Sequence, residues 1–150
     1  MEPEVWGPKG WFFLHSITMA YPEKPSQNDK DNYAVFFNIL PAVLPCEACQ
    51  KHLRQHMANN PIQPALENRQ TLVEWLINIH NMVNQSLGKP VMTYEQVIEK
   101  YKKEYANSQS FPDLSTDNDK KTNMTYIGII VVAVLIIGLI LWKKRSVLFA

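Results

Sequence analysis

The chain is short of the residues on which several classes of function depend. Two cysteines in 150 residues cannot build a multi-disulfide scaffold. Five glycines include no Gly-rich phosphate loop, which disfavours nucleotide binding of the P-loop or Rossmann kind. Charged residues make up only 19% and the formal net charge is +1, so the chain is not one that holds nucleic acid mainly through a basic surface. Alternating strand patterns joined by hairpin turns are missing, and no internal repeat is visible. The first ten residues, MEPEVWGPKG, have no apolar stretch of the signal-peptide kind.

What is present is a chain that is 46% hydrophobic, enough for a packed core, at a length that allows one domain and a tail. The division falls late. No charged residue occurs from Thr122 to Trp142, and Ile127 to Trp142 is apolar throughout. As a helix, Met124 to Trp142 would reach roughly 28 Å, close to the hydrocarbon thickness of a bilayer. Tyr126 and Trp142 stand where interfacial aromatics belong. A transmembrane helix is therefore expected over 123–142, and a basic-start tail over 143–150. A polar linker, NSQSFPDLSTDNDKKT, is expected over 107–122. Residues 1–106 are then the working domain.

That domain reads as all-helical. Trp11, Leu14, His15 and Thr18 fall at helical spacing after Pro8, with a stop expected before Tyr21-Pro22. Tyr33, Phe36, Phe37 and Leu40 form a second stripe, which Pro41 should bend or end. Pro45 opens a short helix running to about Asn59. The longest helix is expected over Asn68–Leu87, with Leu72, Trp75, Leu76, Ile79, Val83 and Leu87 on one side and Gly88 as its stop. Thr93 and Gln96 make a capping-box pattern that opens a last helix carrying Val97, Tyr101 and Tyr105. The sum is a four- or five-helix bundle.

Both cysteines lie in Cys46-Glu47-Ala48-Cys49. At a helix start, residues three apart share a face, so the two sulfurs can meet across one turn. The N-terminal end of the helix favours negative charge and should lower the pKa of Cys46. Two other readings compete with redox work. His52 and His56 complete a Cys-x2-Cys-x2-His-x3-His order of zinc-ligand types, but one short helix cannot bring all four together tetrahedrally, and zinc fingers place about a dozen residues between the pairs. A purely structural disulfide across so short a loop would add little stability. Thioredoxin-like exchange needs a βαβ setting, which this sequence lacks. Redox chemistry leads, and the motif alone does not decide its kind.

The order of the short motifs is more informative than any one of them. Trp6-Gly7-x3-Trp11-x2-Leu14-His15 is followed by Tyr21-Pro22, then by Pro45-Cys46-x2-Cys49-x2-His52. Trp75-x4-His80-Asn81-x-Val83-Asn84-x2-Leu87-Gly88-Lys89-Pro90 comes last. Over about residues 5–105 this resembles the Erv/ALR family of FAD-linked sulfhydryl oxidases, and among them the minimal, membrane-anchored members of large DNA viruses. The resemblance implies a helical bundle that holds FAD, usually as a homodimer. It implies catalysis by Cys46 and Cys49, with no metal. It implies cofactor contacts from Gly7, Trp11 and His15 on the first helix, from Tyr21, from His52, and from Trp75. His80, Asn81, Val83, Asn84, Leu87 and Lys89 would contact it from the fourth helix and its end. Tyr101 stands, like Tyr105, where tryptophans near the adenine are common in the family.

The implied reaction forms disulfides in a thiol-bearing protein, of thioredoxin- or glutaredoxin-like kind, and passes electrons to O2 to give H2O2. Cys46, the more exposed, would meet the substrate, and Cys49, the deeper, would face the cofactor. The extra shuttle cysteines and the structural disulfide near the last helix, common in the family, have no counterpart here. The last helix must then be held by packing. A function from another class stays in view: a membrane-tethered helical adaptor or zinc-binding module without oxidase activity. Lys143-Lys144-Arg145 after the span points to a cytosolic C-terminus, and Asn123-Met124-Thr125 would be a glycosylation site on the lumenal side. Tail anchoring, with the domain on the cytosolic side of a host or virion membrane, is the orientation expected.

Overall fold

The computed structural model describes residues 1–106, 111–112, 122 and 124–137. The chain separates into two compact units, Met1–Leu114 and Ser115–Ala150. The first is helical: α1 (Pro3–Met19), α2 (Gln27–Val43), α3 (Glu47–Asn59), a short 3-10 turn (Gln63–Glu67), α4 (Arg69–Ser86) and α5 (Tyr94–Glu104). No strand occurs among the described residues.

α1 begins five residues earlier than the Pro8 start expected from sequence. Pro3 occupies the first turn, where its missing N–H costs nothing, and Pro8 lies inside the helix. Pro8 has no N–H to give the carbonyl of Glu4, and Glu4 is exposed, where solvent can take the place of that donor. α2 likewise passes through Pro41 and ends two residues later. Its start is fixed by a reciprocal cap between Ser26 and Asp29. The expected cap of α5 is present: Thr93 accepts from the N–H of Gln96, whose side chain returns to the N–H of Thr93. Gly88 adopts φ 65° just beyond α4, the left-handed turn that only glycine makes cheaply.

α4 is the central element. Leu72, Trp75, Leu76 and Ile79 enter one core cluster with Leu14, Tyr21, Phe37, Leu53, Ile62 and Leu66. Val73 and Ile77 enter a second cluster with Met19, Val97, Ile98 and Tyr101. The single stripe read from sequence thus holds four of the six residues that α4 buries. The stripe also leaves the core after Ile79, for Val83 is half-buried and Leu87 exposed.

The 3-10 turn, unforeseen in the sequence, is tied from three sides. The Tyr21 hydroxyl donates to the carbonyl of Leu66 at 3.0 Å. Thr71 Oγ1 donates to the carbonyl of Ala65, and Trp75 Nε1 to that of Asn60 just before the turn. Within the stretch expected as linker, Phe111 packs against the second cluster and its ring lies 5.7 Å from that of Tyr105.

In the second unit, residues 124–137 are helical with every side chain exposed. Among the described residues no helix is long and apolar enough to cross a membrane. The expected span over 123–142 lies only partly within the described residues, since Asn123 and residues 138–142 fall outside them, as does the basic tail over 143–150.

Candidate functional site

The redox motif sits where α2 hands over to α3. Cys46 is the N-cap of α3, and Cys46 and Cys49 are joined in a disulfide with their Cα atoms 5.2 Å apart. The Sγ of Cys46 accepts the backbone N–H of Cys49 at 3.2 Å. Both residues are half-buried, so the structure does not separate an exposed sulfur from a deep one. His52, one turn further, is exposed, and His56 is half-buried. With its sulfurs bonded to each other, this Cys-x2-Cys offers no thiolates to a metal, and no metal-binding group of three His, Cys, Asp or Glu occurs among the described residues.

A second constellation forms where α1, α4 and α5 meet. The rings of Trp11 and His80 are stacked, 3.9 Å between centroids and 6° from parallel. His15 Nε2 and His80 Nδ1 share a hydrogen bond of 3.0 Å. Tyr101 lies against His15 and Phe12, with ring centroids 5.3 and 5.5 Å away. Its hydroxyl donates to the carbonyl of Trp11. These residues meet because α1 presents positions 11 and 15, one turn apart, to α4.

Burial controls the charge of this cluster. It holds His15 down to about 3, with the neighbouring His80 and Lys100 adding to the effect. It holds His80 down to about 4, with Lys100 and Lys89 adding. Tyr101 is raised, by burial first and then by Tyr105 and Glu104. At neutral pH both imidazoles are uncharged, and the bond between them has one donor and one acceptor.

Among the described residues, two buried polar atoms have no partner, Nδ1 of His15 and Nε1 of Trp6. Such atoms are rare in a folded interior and mark places where another group can bond. The open Nδ1 of His15, the aromatic rings around it and two lysines whose charge reaches the histidines suit a planar, hydrogen-bonding ligand that carries negative charge. The residues present therefore fit FAD, with its flat ring system and its diphosphate.

The other expected contacts fall in different places. Val83 and Asn84 are half-buried on the next turn of α4, and Gly7 is half-buried on α1. Lys89 follows Gly88 with its N–H on the carbonyl of Asn84 at 2.8 Å. Asn81 spends its side-chain amide on both backbone groups of Met92, at 2.8 and 3.0 Å, and so fastens the α4–α5 connection. Tyr21 and Trp75 belong to the first core cluster, against which Trp11 also packs. Tyr21 is fully buried with its hydroxyl satisfied, and Trp75 meets Phe37 edge-on with its N–H satisfied, so both are core residues in this structure. Leu87 is exposed. Sequence reasoning missed Phe12, Lys100 and the open bond of Trp6. Adjacency to Trp11 and Tyr101 was the available signal for the first two.

Comparison with known proteins bears on both constellations. Residues 8–105 match the model of the Erv1 / Alr family. A probable FAD-linked sulfhydryl oxidase of Acanthamoeba polyphaga mimivirus is 41% identical over 104 residues, which is 69% of this chain and 73% of that protein. A FAD-linked sulfhydryl oxidase of Arabidopsis thaliana is 37% identical over 87 residues, 58% of this chain and 44% of that protein. The crystal structure of the FAD-binding domain of Erv1 from Saccharomyces cerevisiae superposes with a TM-score of 0.64 at 31% identity, covering 69% of this chain and 96% of that domain.

Proposed function

The chain belongs to the Erv1/Alr family, and from that premise we infer that it is a FAD-linked sulfhydryl oxidase, an enzyme that forms disulfides in thiol-bearing substrates. The observation that carries the reading is the Cys46–Cys49 disulfide at the N-terminus of α3 within a helical unit that matches a FAD-binding domain. A tethered adaptor or zinc module explains neither the paired sulfurs nor the unpartnered Nδ1 of His15 beside the stacked rings.

The steps assigned to the protein run as follows. A substrate thiolate attacks Sγ of Cys46, a substrate–Cys46 bond forms, and the Cys46–Cys49 bond breaks with its electron pair on Cys49. The backbone N–H groups at the start of α3 stabilise thiolate charge at the pair. A second substrate thiolate then attacks the substrate sulfur of the mixed disulfide and releases Cys46 as a thiolate. The substrate leaves as a disulfide, having lost two electrons, and the pair has gained two. When bound, FAD supplies the acceptor for those two electrons and their route to O2, which departs as H2O2.

Trp11, His15, His80 and Tyr101 would hold the cofactor's ring system, with Asn84 and Lys89 at the end of α4. The neutral imidazoles lend that site donors and acceptors without adding charge. The part of Cys46 as the substrate-facing sulfur and of Cys49 as the cofactor-facing one belongs to this proposal. So do O2 as acceptor, a thioredoxin- or glutaredoxin-like substrate, a homodimer, and anchoring in a host or virion membrane through 123–142 with residues 1–106 on the cytosolic side. The last draws support from a described helix at 124–137 with no charged side chain.

Purification gives the direct test. The full-length protein should be yellow, with flavin absorption, and should consume oxygen when given dithiothreitol or a reduced thioredoxin-like protein. Cys49→Ser should stay yellow and lose turnover by at least about a thousandfold, the order expected when a covalent-relay residue is removed. A colourless protein, or a Cys49→Ser variant that still turns over, would sink the reading.

A further inference from the structure

Between the end of α2 at Val43 and the start of α3 at Glu47 lie only Leu44, Pro45 and Cys46. This connection carries one half of the redox pair; Pro45 has no N–H to give, and its carbonyl accepts the N-terminal ammonium of Met1 at 3.1 Å. Gln50 supplies what is missing. Its side-chain Nε2 donates to the carbonyl of Leu44 at 2.7 Å, and its backbone N–H donates to the carbonyl of Cys46 at 2.9 Å. One residue on the first turn of α3 therefore fastens both ends of the connection. Leu44 is itself packed on the first core cluster, and Pro41 just before it is buried, so the clamp ties the redox motif to a fixed part of the fold. The result is a Cys46 with extended backbone (φ −151°, ψ 114°) at the N-cap, its Sγ on the N–H of Cys49.

We propose that Gln50 is a positioning residue for the redox pair, one whose amide keeps Cys46 at the N-cap of α3 after the disulfide opens. While the disulfide is closed, a covalent bond ties Cys46 to α3. Once it is reduced, the Gln50 bonds, the Met1 ammonium on the Pro45 carbonyl, the packing of Leu44 and the N-cap geometry remain, and of these the Gln50 side chain is the one that spans from α3 back to the connection. A Cys46 thiolate kept at the N-cap accepts the Cys49 N–H and lies at the positive end of the helix, which favours the ionised form. A Cys46 free to swing into water loses both. The clamp thus acts on how readily Cys46 ionises and leaves in exchange. The proposal rests on the oxidase reading for its purpose, but its test reads the thiol itself and needs no turnover.

The experiment uses the full-length protein, reduced, with iodoacetamide alkylation of Cys46 followed by mass spectrometry from pH 5 to 9. In Gln50→Met, which keeps the length of the side chain and removes the donor, the midpoint of the alkylation profile should rise by about one pH unit, about a tenfold slower reaction on the acid side. Gln55→Met, an exposed change on the same helix, should leave the profile where it was. Superimposed profiles for wild type and Gln50→Met would overturn the proposal. Hydrogen exchange on the wild type gives a second reading that does not depend on the variant folding. The Cys49 amide should stay protected on reduction, and its loss of protection would overturn the clamp. A wild type that shows the shift on substitution but never consumes oxygen would support the clamp and sink the oxidase reading alone.

Discussion

His15 and His80 are both held well below the ordinary histidine value. Burial is the chief cause in both, and the charge of Lys100 adds to each. The unfolded chain protonates its histidines near 6.5, whereas the folded pair resists until about 4 and about 3. The unfolded state therefore holds more protons throughout that interval. Stability should be full above about pH 6.5 and should fall as the pH drops toward 4, by about 1 kcal/mol per pH unit for each histidine. Denaturant titrations of the cofactor-free protein at a series of pH values measure this. His80→Phe should flatten the slope, and a slope unchanged in that variant would contradict the assignment. Tyr21 shows the opposite lesson at the same scale. The resemblance implies a cofactor contact for it, and in this structure its ring is enclosed and its hydroxyl bonded to the carbonyl of Leu66. A tyrosine with one polar atom serves a core or a cofactor equally well, and only its surroundings separate the two.

At the scale of elements, the connection between α4 and α5 depends on one side chain. Asn81 satisfies both backbone groups of Met92, which precedes the Thr93 cap. Asn81→Leu should remove two bonds, leave half-buried backbone groups without a protein partner, and cost about 1–3 kcal/mol in urea unfolding. Thr93→Ala should cost about 1 kcal/mol through the lost cap. If the two changes were equally mild, Asn81 would be no more than a surface residue. The α5 cap and the Gly88 stop were legible in the sequence because capping and left-handed turns are local chemistry with few suitable residues. The start of α1 was not, because Pro8 is as suitable at a helix start as it is tolerable in a solvated second turn. Nor was the 3-10 turn, whose stability comes from Tyr21, Thr71 and Trp75, residues outside it. At the candidate site, Cys46, Cys49, Trp11, His15 and His80 were legible as an ordered set of motifs. Gln50 was not, since a glutamine beside a cysteine pair carries no signal until its partner carbonyl is known.

For the molecule as a whole, the first compact unit is Met1–Leu114. Phe111 packs on the cluster formed by α4 and α5, which is the packing that an absent staple at the last helix requires. Cutting the chain after Pro112 should leave a folded, flavin-binding protein, whereas cutting after Ala106 should weaken it. Phe111→Ala should lower stability by about 1–3 kcal/mol, short of a fully buried aromatic because Phe111 is only half-buried. Expressed in cells, the full chain should stay with membranes through alkaline carbonate washing and the chain cut after Pro112 should not. Release of both would remove the proposed anchor.

α4 divides its apolar residues between two clusters, Leu72, Trp75, Leu76 and Ile79 on one side and Val73 and Ile77 on the other. Neither cluster can come apart while the other keeps its wall, because the wall is the same helix. Heating should therefore give a single calorimetric peak for residues 1–112, with equal van't Hoff and calorimetric enthalpies. The redox motif and the ring cluster, though they sit on different helices, would be lost together in one all-or-none event.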